Sequence, residues 1–535
     1  MNHLYYGDNL QILREHIKDE SVDLVYLDPP FNSQGSYNVL FRGPTGKDSE
    51  AQVEAFEDTW HWNDSAEEAF DGVMKSGNGN LAEILRALRS FLKENDMMAY
   101  LTMMAIRLSE LHRVLKSTGS LYLHCDPTAS HYLKILLDAH FSPRNYRSEI
   151  IWKRTAAKSL MTKRLADNHD VIFCYGKTDR STWNDAAIYT PYDADNLDEK
   201  TASKYSHRDG DGRLYQLDNL INPNPNRPNL TYEFLGVTRV WRWTKLRMQA
   251  AHHDGLVIQP SPGAVPRFKR YLDEQKGRAL DDVWTDILPL NSQARERLGY
   301  PTQKPLALLE RIIQISSQEG DSVLDPFCGC GTTIHAAQKL GRMWTGIDIT
   351  HLAISLIERR IHEAFPTGQF EVEGTPKDMG GARALFNADP YQFQWWAGSL
   401  VDAVPFGGKK RGADSGIDGS IYFKPDGKVI ERAIVSVKGG GNVGVPMIRD
   451  LGHVVDREKA KIGIFITLAE PTKPMLLEAV KSGYYETPFG KFPKLQILTI
   501  RELFEGTQPK LPWIDPNAFK KAARESAGVQ DQLDL

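Results

Sequence analysis

Positions 28–31 read Asp-Pro-Pro-Phe, which puts a carboxylate, a rigid carbonyl and an aromatic ring at one point of the chain. The exocyclic amine of a nucleobase is a poor nucleophile, because its lone pair is delocalised into the ring. Accepting its two N–H groups, one on the Asp28 carboxylate and one on the Pro29 carbonyl, favours a tetrahedral nitrogen and frees that lone pair. Pro30 continues the rigid turn, and Phe31 offers a face for a base drawn out of its stack. A plain Pro-rich turn after a strand is the competing explanation.

A second constellation is Asp325-Pro326-Phe327-Cys328-Gly329-Cys330-Gly331-Thr332-Thr333. Two glycines between a strand and a helix let backbone approach a ligand closely. Asp348 follows Gly331 by seventeen residues. At the end of the next strand, such a carboxylate can accept both ribose hydroxyls of an adenosine cofactor. The loop departs from the six-residue dinucleotide fingerprint, so no pyrophosphate ligand is implied. Cys328 and Cys330 are too closely spaced for a zinc pair and have no second pair, so they are expected to line the loop as small residues.

Two stretches fit a DNA groove. Arg144, Arg147, Lys153, Arg154, Lys158, Lys163 and Arg164 face one acid, Glu149, and Arg239, Arg242, Lys245 and Arg247 are interleaved with Trp241 and Trp243. Phosphate contacts from such residues give position, and contacts to base edges give specificity. The candidate DNA-binding residues are Lys153, Arg154, Arg242, Lys245 and Arg247; a solvated charged face is the alternative for each stretch.

Near the C-terminus, Asp418 precedes a hairpin-like stretch, and Lys438 ends the apolar run Ala433-Ile-Val-Ser-Val-Lys438. A carboxylate on one strand and a lysine on its neighbour can meet at a phosphodiester site where Mg2+ activates water. Ser436 stands two residues before the lysine and is a weak metal ligand. Asp402 and Asp414 are the acids available to supplement it.

The elements that must carry these residues alternate strand and helix. Val22 to Leu27 is a nearly continuous apolar run, as in a parallel strand covered on both faces, and it stops at Asp28-Pro29. Residues 81 to 116 show helical spacing; Gly119 interrupts, a strand covers Ser120 to His124, and a helix follows from Ser130 to Ala139. Leu306 to Ser317 is a helix, Ser322 to Asp325 a strand, Thr332 to Leu340 a helix, Met343 to Ile347 a strand and Leu352 to Glu363 a helix, which makes a βαβ unit. This alternation defines an α/β class. The polar, weakly periodic stretch between is an insert.

The chain resembles the S-adenosylmethionine-dependent DNA amino-methyltransferases. Asp28, Pro29, Pro30 and Phe31 match the catalytic motif, Asp325 to Thr333 the cofactor loop, and Tyr300-Pro-Thr-Gln-Lys-Pro305 the segment before it. Tyr6-Gly-Asp8-Asn9-Leu10 resembles the family's opening. The order of catalytic motif, recognition region and cofactor motif is that of the β-type permutation. The resemblance implies a Rossmann-like fold with an inserted target-recognition region. It places Phe327, Gly329 and Gly331 around the cofactor, Asp325 at its ammonium, Asp348 at its ribose, Thr302 and Lys304 at its carboxylate end, and Asp8 near its adenine. An Asp in the first catalytic position resembles adenine-N6 more than cytosine-N4 enzymes. Duplex DNA is the implied partner.

The C-terminal stretch resembles Mrr-type endonucleases of the PD-(D/E)xK class, an α/β fold, with Asp418 as the first acid and Lys438 as the lysine. Ser436 departs from the usual Glu or Gln. These likenesses divide the chain into a methyltransferase domain (1–154 and 300–365), a recognition region (155–299), a linker (366–390), a nuclease-type domain (391–520) and a tail (521–535). A bifunctional restriction-modification enzyme with an active C-terminal endonuclease, a cytosine-N4 methyltransferase, an RNA methyltransferase and a DNA-binding regulator remain alternatives. Homodimerisation and a restriction or helicase subunit are compatible with the resemblance, and no motif encodes either.

Composition narrows the class. Of 535 residues, 41% are hydrophobic and 25% charged, with a net charge of −4 and four cysteines. That excludes a wholly disordered chain, a disulfide scaffold and a general polycation. With no apolar run of membrane length and no secretory signal at the N-terminus, a cytoplasmic location without membrane partners is expected.

Overall fold

The computed structural model describes residues 1–30, 61–155, 165, 167–290, 294, 296–298, 300, 302–405, 416–425, 429–488 and 490–512, with the backbone alone of 36–42 and 48–57. The chain forms two compact units, 1–183 with 282–535, and 184–281.

The first unit is built on a nine-stranded sheet: β1 (Asn2–Tyr6), β2 (Val22–Leu27), β3 (Leu115–Cys125), β4 (Tyr146–Lys153), β5 (His169–Gly176), β6 (Val283–Trp284), β7 (Ser322–Asp325), β8 (Met343–Asp348) and β9 (Phe370–Glu373), in the order β6-β4-β5-β3-β2-β7-β8-β1-β9. β3, β2, β7, β8, β1 and β9 run parallel, each to the next, and β5 is antiparallel to β3 and β4. Val22–Leu27 is buried throughout, as a parallel strand between two helical layers must be. The register sets Val323 beside Leu24 and Tyr6 beside Asp348. All four loops that carry candidate residues therefore leave the same, carboxyl edge of the sheet, where open α/β folds bind ligands.

Helices are fixed by their caps. Asp8 caps α1 (Asn9–His16), Asn95 caps α2 (Asp96–Val114), and Thr350 caps α6 (His351–Ala364), each through its side-chain oxygen. Asp126 and Pro127 together start α3 (Pro127–Phe141), and α4 (Leu306–Ser316) and α5 (Thr332–Lys339) flank β7.

The expected helix over 81 to 116 is two, because Lys93 adopts φ +62° and Asn95 opens a new cap. Gly119 lies within β3 rather than ending a helix before it. The strand His169–Gly176 falls in the stretch expected to be the recognition region, yet pairs with β3 and β4 in the central sheet. The expected linker contains β9 and α7 (Met379–Ala388).

In the same unit, β10 (Val404–Pro405), β11 (Gly419–Phe423), β12 (Glu431–Lys438), β13 (Ile462–Thr467) and β14 (Leu495–Thr499) form a second sheet in that order. One face packs on α8 (Pro390–Ser399) through Phe393, Trp396 and Ala397, and the other on α9 (Val445–Arg457) through Ile448, Leu451 and Val455.

The second unit has a small antiparallel sheet, including Leu214–Asn219 paired with Arg267–Tyr271, and a hairpin, Thr231–Phe234 with Val237–Val240. Its core surrounds Trp241, which is wholly buried among Leu220, Phe234, Val237, Met248 and Val257. No helix among the described residues is long and apolar enough to cross a membrane.

Candidate active site

A cavity of about 240 Å³ opens at the carboxyl edge of the first sheet. The ends of β1, β2, β7 and β8 supply Asp8, Asp28 with Pro29 and Pro30, Asp325 to Cys330, and Asp348 with Thr350; Thr302 and Lys304 enter from the segment before α4. Residues more than 300 positions apart in sequence thus line one space. Phe31 lies outside the described residues.

Asp348 is held from three sides. Gly329 N donates to its Oδ2 at 2.9 Å, and Thr350 N and Oγ1 donate to its Oδ1 at 2.9 and 2.8 Å. Burial nevertheless pushes its carboxyl up to about 6. Asp325 is 2% exposed, and burial pushes it up to about 7, against hydrogen bonds from Thr333 and Phe327 N. A buried carboxylate without a facing cation is expensive, and a bound ammonium removes that cost.

The glycines are explained by backbone conformation. Gly329 and Gly331 have φ of +49° and +72°, the left-handed region. A Cβ on Gly331 would meet Ile357 Cγ1 at 2.7 Å, and one on Gly329 would meet Tyr300 at 3.3 Å. Cys328 and Cys330 are buried free thiols that line the cavity; burial pushes both up. Phe327 is half-buried and lines it as well.

Two features escape sequence reasoning. Arg107 of α2 is 3% exposed; its Nη2 donates to Asp8 Oδ2 at 2.8 Å and its Nε to Asn9 Oδ1 at 2.6 Å. Asn9 Nδ2 in turn donates to Pro326 O at 2.8 Å, tying the first loop to the glycine loop. A lone arginine amid the apolar run of α2 is the one signal that could have found it. Beneath Asp28, Tyr26 OH bonds His124 Nδ1 at 2.8 Å, and His124 Nε2 lies 3.1 Å from Asp170 Oδ2, all buried.

Lys304, expected at the carboxylate end of a cofactor, lies with Nζ 2.5 Å from Asp28 Oδ2. In this state it orients the carboxylate of the Asp-Pro-Pro turn. Thr302 stands at the cavity wall.

The expected DNA-binding residues divide between the units. In the first, Lys153 and Arg154 are exposed, and Arg154 Nε pairs with Asp170 Oδ1 at 3.0 Å. Lys158, Lys163 and Arg164 lie outside the described residues. In the second, Arg242, Lys245 and Arg247 are exposed, and Arg247 lies over the Trp243 ring at 4.4 Å. Trp241, expected among the groove-facing indoles, is core instead: its Nε1 donates to Tyr232 O at 2.9 Å.

In the second sheet, Asp418 Oδ2 accepts from Val437 N at 2.6 Å and Ser436 Oγ at 3.3 Å, with Lys438 Nζ at 3.8 Å. The strand pairing brings the three together. Asp402 pairs with Arg359 of α6 at 3.4 Å, and Asp414 lies outside the described residues.

A mostly parallel sheet, a left-handed glycine loop, a carboxylate one strand on and an Asp-Pro-Pro turn around one cavity define a Rossmann-like α/β fold with a ligand cavity at its carboxyl edge. The chain belongs to the DNA methylase family, whose model matches residues 22–359. A model described as restriction endonuclease matches residues 385–483.

Among relatives, the type II methyltransferase M.EcaI of Enterobacter cloacae is 30% identical over 266 residues, 49% of this chain and 57% of that one. The Mod subunit of the type III restriction-modification enzyme StyLTI of Salmonella typhimurium is 25% identical over 349 residues, 62% of this chain and 49% of that one. The chain thus spans about half the length of these curated relatives. A crystal structure from Thermus thermophilus, described as a DNA modification methylase, aligns with TM-score 0.34 and 15% identity over 70% of this chain and 99% of that one.

Proposed function

We propose that the protein methylates adenine N6 at a short site in duplex DNA, within a restriction-modification or related role. The observation that carries this reading is the cavity that joins the Asp28-Pro29 acceptors to the glycine loop and Asp348. Its donor set suits an adenosine with a cationic amino-acid end: Asp348 for the ribose hydroxyls, buried Asp325 for the ammonium, and Asp8 and Thr302 at either end. S-adenosylmethionine bound there supplies an electrophilic methyl on a sulfonium.

The protein's own part is to prepare the amine. Asp28, oriented by Lys304, and the Pro29 carbonyl accept its two N–H groups, so the nitrogen lone pair points away from the base ring. Asp in the first position of the turn supports adenine over cytosine. Phe31 would stack on the flipped base. Lys153, Arg154, Arg242, Lys245 and Arg247 would contact the duplex.

The C-terminal domain is the second part of the reading. Asp418 already accepts two hydrogen bonds on one oxygen and has serine where a second acid would serve Mg2+. We read it as a DNA-binding module. Magnesium-dependent cutting of unmethylated DNA, lost in Lys438→Ala, would overturn that and make the chain bifunctional.

The test is single-molecule sequencing of an unmethylated plasmid after incubation with the protein and S-adenosylmethionine, without magnesium. The expected result is N6-methyladenine at one short motif, absent with Asp28→Ala. N4-methylcytosine would overturn the choice of base. No modification of DNA, with methylation of RNA instead, would overturn the substrate.

A further inference from the structure

Helix α8 has two working faces. Phe393, Trp396 and Ala397 lie in the core of the C-terminal domain. Gln392 and Trp395, three residues apart and so on one side of the helix, face the methyltransferase domain. Gln392 is 8% exposed and Trp395 7%.

Each backs a different wall of the cavity. Gln392 Oε1 accepts from His351 N at 3.0 Å. That N–H is one of the orphan donors at the start of α6, directly after Asp348-Ile349-Thr350. From the other side, the His351 ring stacks on Tyr6 at 3.6 Å, at the end of β1 beside Gly7 and Asp8. Trp395 packs with Tyr300, Cys330 and Leu352. Tyr300 is the ring against which Gly329 closes, and Cys330 is in the glycine loop itself. The turn that carries Asp348 and the loop that approaches the cofactor are therefore both braced by one helix of the nuclease-type domain. Asp389 and Pro390, which start that helix, fix where both side chains sit.

We infer that Gln392 and Trp395 are positioning residues for the cofactor half of the methyltransferase site, so that the C-terminal domain completes that site. The inference rests on the cofactor reading above. By linkage, whatever α8 adds to cofactor affinity the cofactor must return as stability of α8.

The full-length chain is titrated calorimetrically with S-adenosylhomocysteine, and backbone hydrogen exchange is followed over 390–399 with and without it. Gln392→Ala and Trp395→Ala are expected to weaken binding about five- to tenfold, and Trp395→Phe, which keeps a ring, to stay within about twofold. Exchange over 390–399 in the wild-type chain is expected to slow by a similar factor, while α9, on the other face of the same domain, is unchanged. Because Trp395→Ala also opens packing, Gln392→Ala, which removes one hydrogen bond, decides: wild-type affinity in that variant overturns the inference. So does exchange over 390–399 that is indifferent to ligand. A wild-type chain that fails to bind S-adenosylhomocysteine would overturn the cofactor reading instead.

Discussion

Two carboxyls of the site, Asp325 and Asp348, are pushed up by burial, to about 7 and about 6. Burial pushes Asp325 up to about 7, so below that pH it is mostly protonated and cannot pair with an ammonium. On the proposed reading, affinity for S-adenosylhomocysteine is flat above about pH 7 and falls toward tenfold per unit below it. The sign follows from a carboxyl raised above its ordinary value: the ligand must expel a proton at low pH. Calorimetry between about pH 5.5 and 8.5 checks this, and Asp325→Asn should bind weakly with the slope between about pH 6 and 7 removed, leaving only the contribution of Asp348, raised to about 6. Asp28, Asp325 and Asp348 were legible because each ends an apolar strand before a Pro- or Gly-containing turn or a helix cap. Arg107 and Gln392 were not, because each reaches the site from a helix whose local sequence serves its own packing. Lys304 lines the cavity, and its pairing with Asp28, 276 residues away, left no local signal in the sequence.

At the scale of elements, the glycine loop tolerates little substitution. Gly331→Ala combines a φ of +72° with a Cβ 2.7 Å from Ile357, and is expected to cost about 1–3 kcal/mol in a denaturant titration. A loss below about 0.5 kcal/mol would mean that the loop relaxes freely. The strands β2, β7 and β8 were readable because buried parallel strands are continuous apolar runs. β1 was not, since Asn2–Tyr6 mixes polar and aromatic residues and is stabilised by neighbours from 343–348 and 370–373. β5 was hidden by the polar chain around it. The indoles of 239–247 show the ambiguity of an aromatic amid charges: Trp243 carries Arg247, whereas Trp241 is the centre of a core.

At the scale of the molecule, the insert is a compact unit with its own core, so damage there should separate recognition from cofactor binding. Trp241→Ala is expected to cost the 184–281 unit about 3–5 kcal/mol. DNA methylation should fall at least about tenfold while affinity for S-adenosylhomocysteine stays within about twofold. Loss of both would show that the insert also supports the cavity.

The sheet order has a consequence for how the protein is made. Leu24 pairs with Val323, so the strand leading to Asp28 acquires its neighbour on that side only after roughly 300 further residues have left the ribosome. At about 5–20 residues per second, that strand edge waits about 15–60 s for its partner, with apolar side chains on both faces. Until then the edge of that strand stays unpaired on that side, and the cavity that Asp28 lines cannot close before residues 325–330 have been translated.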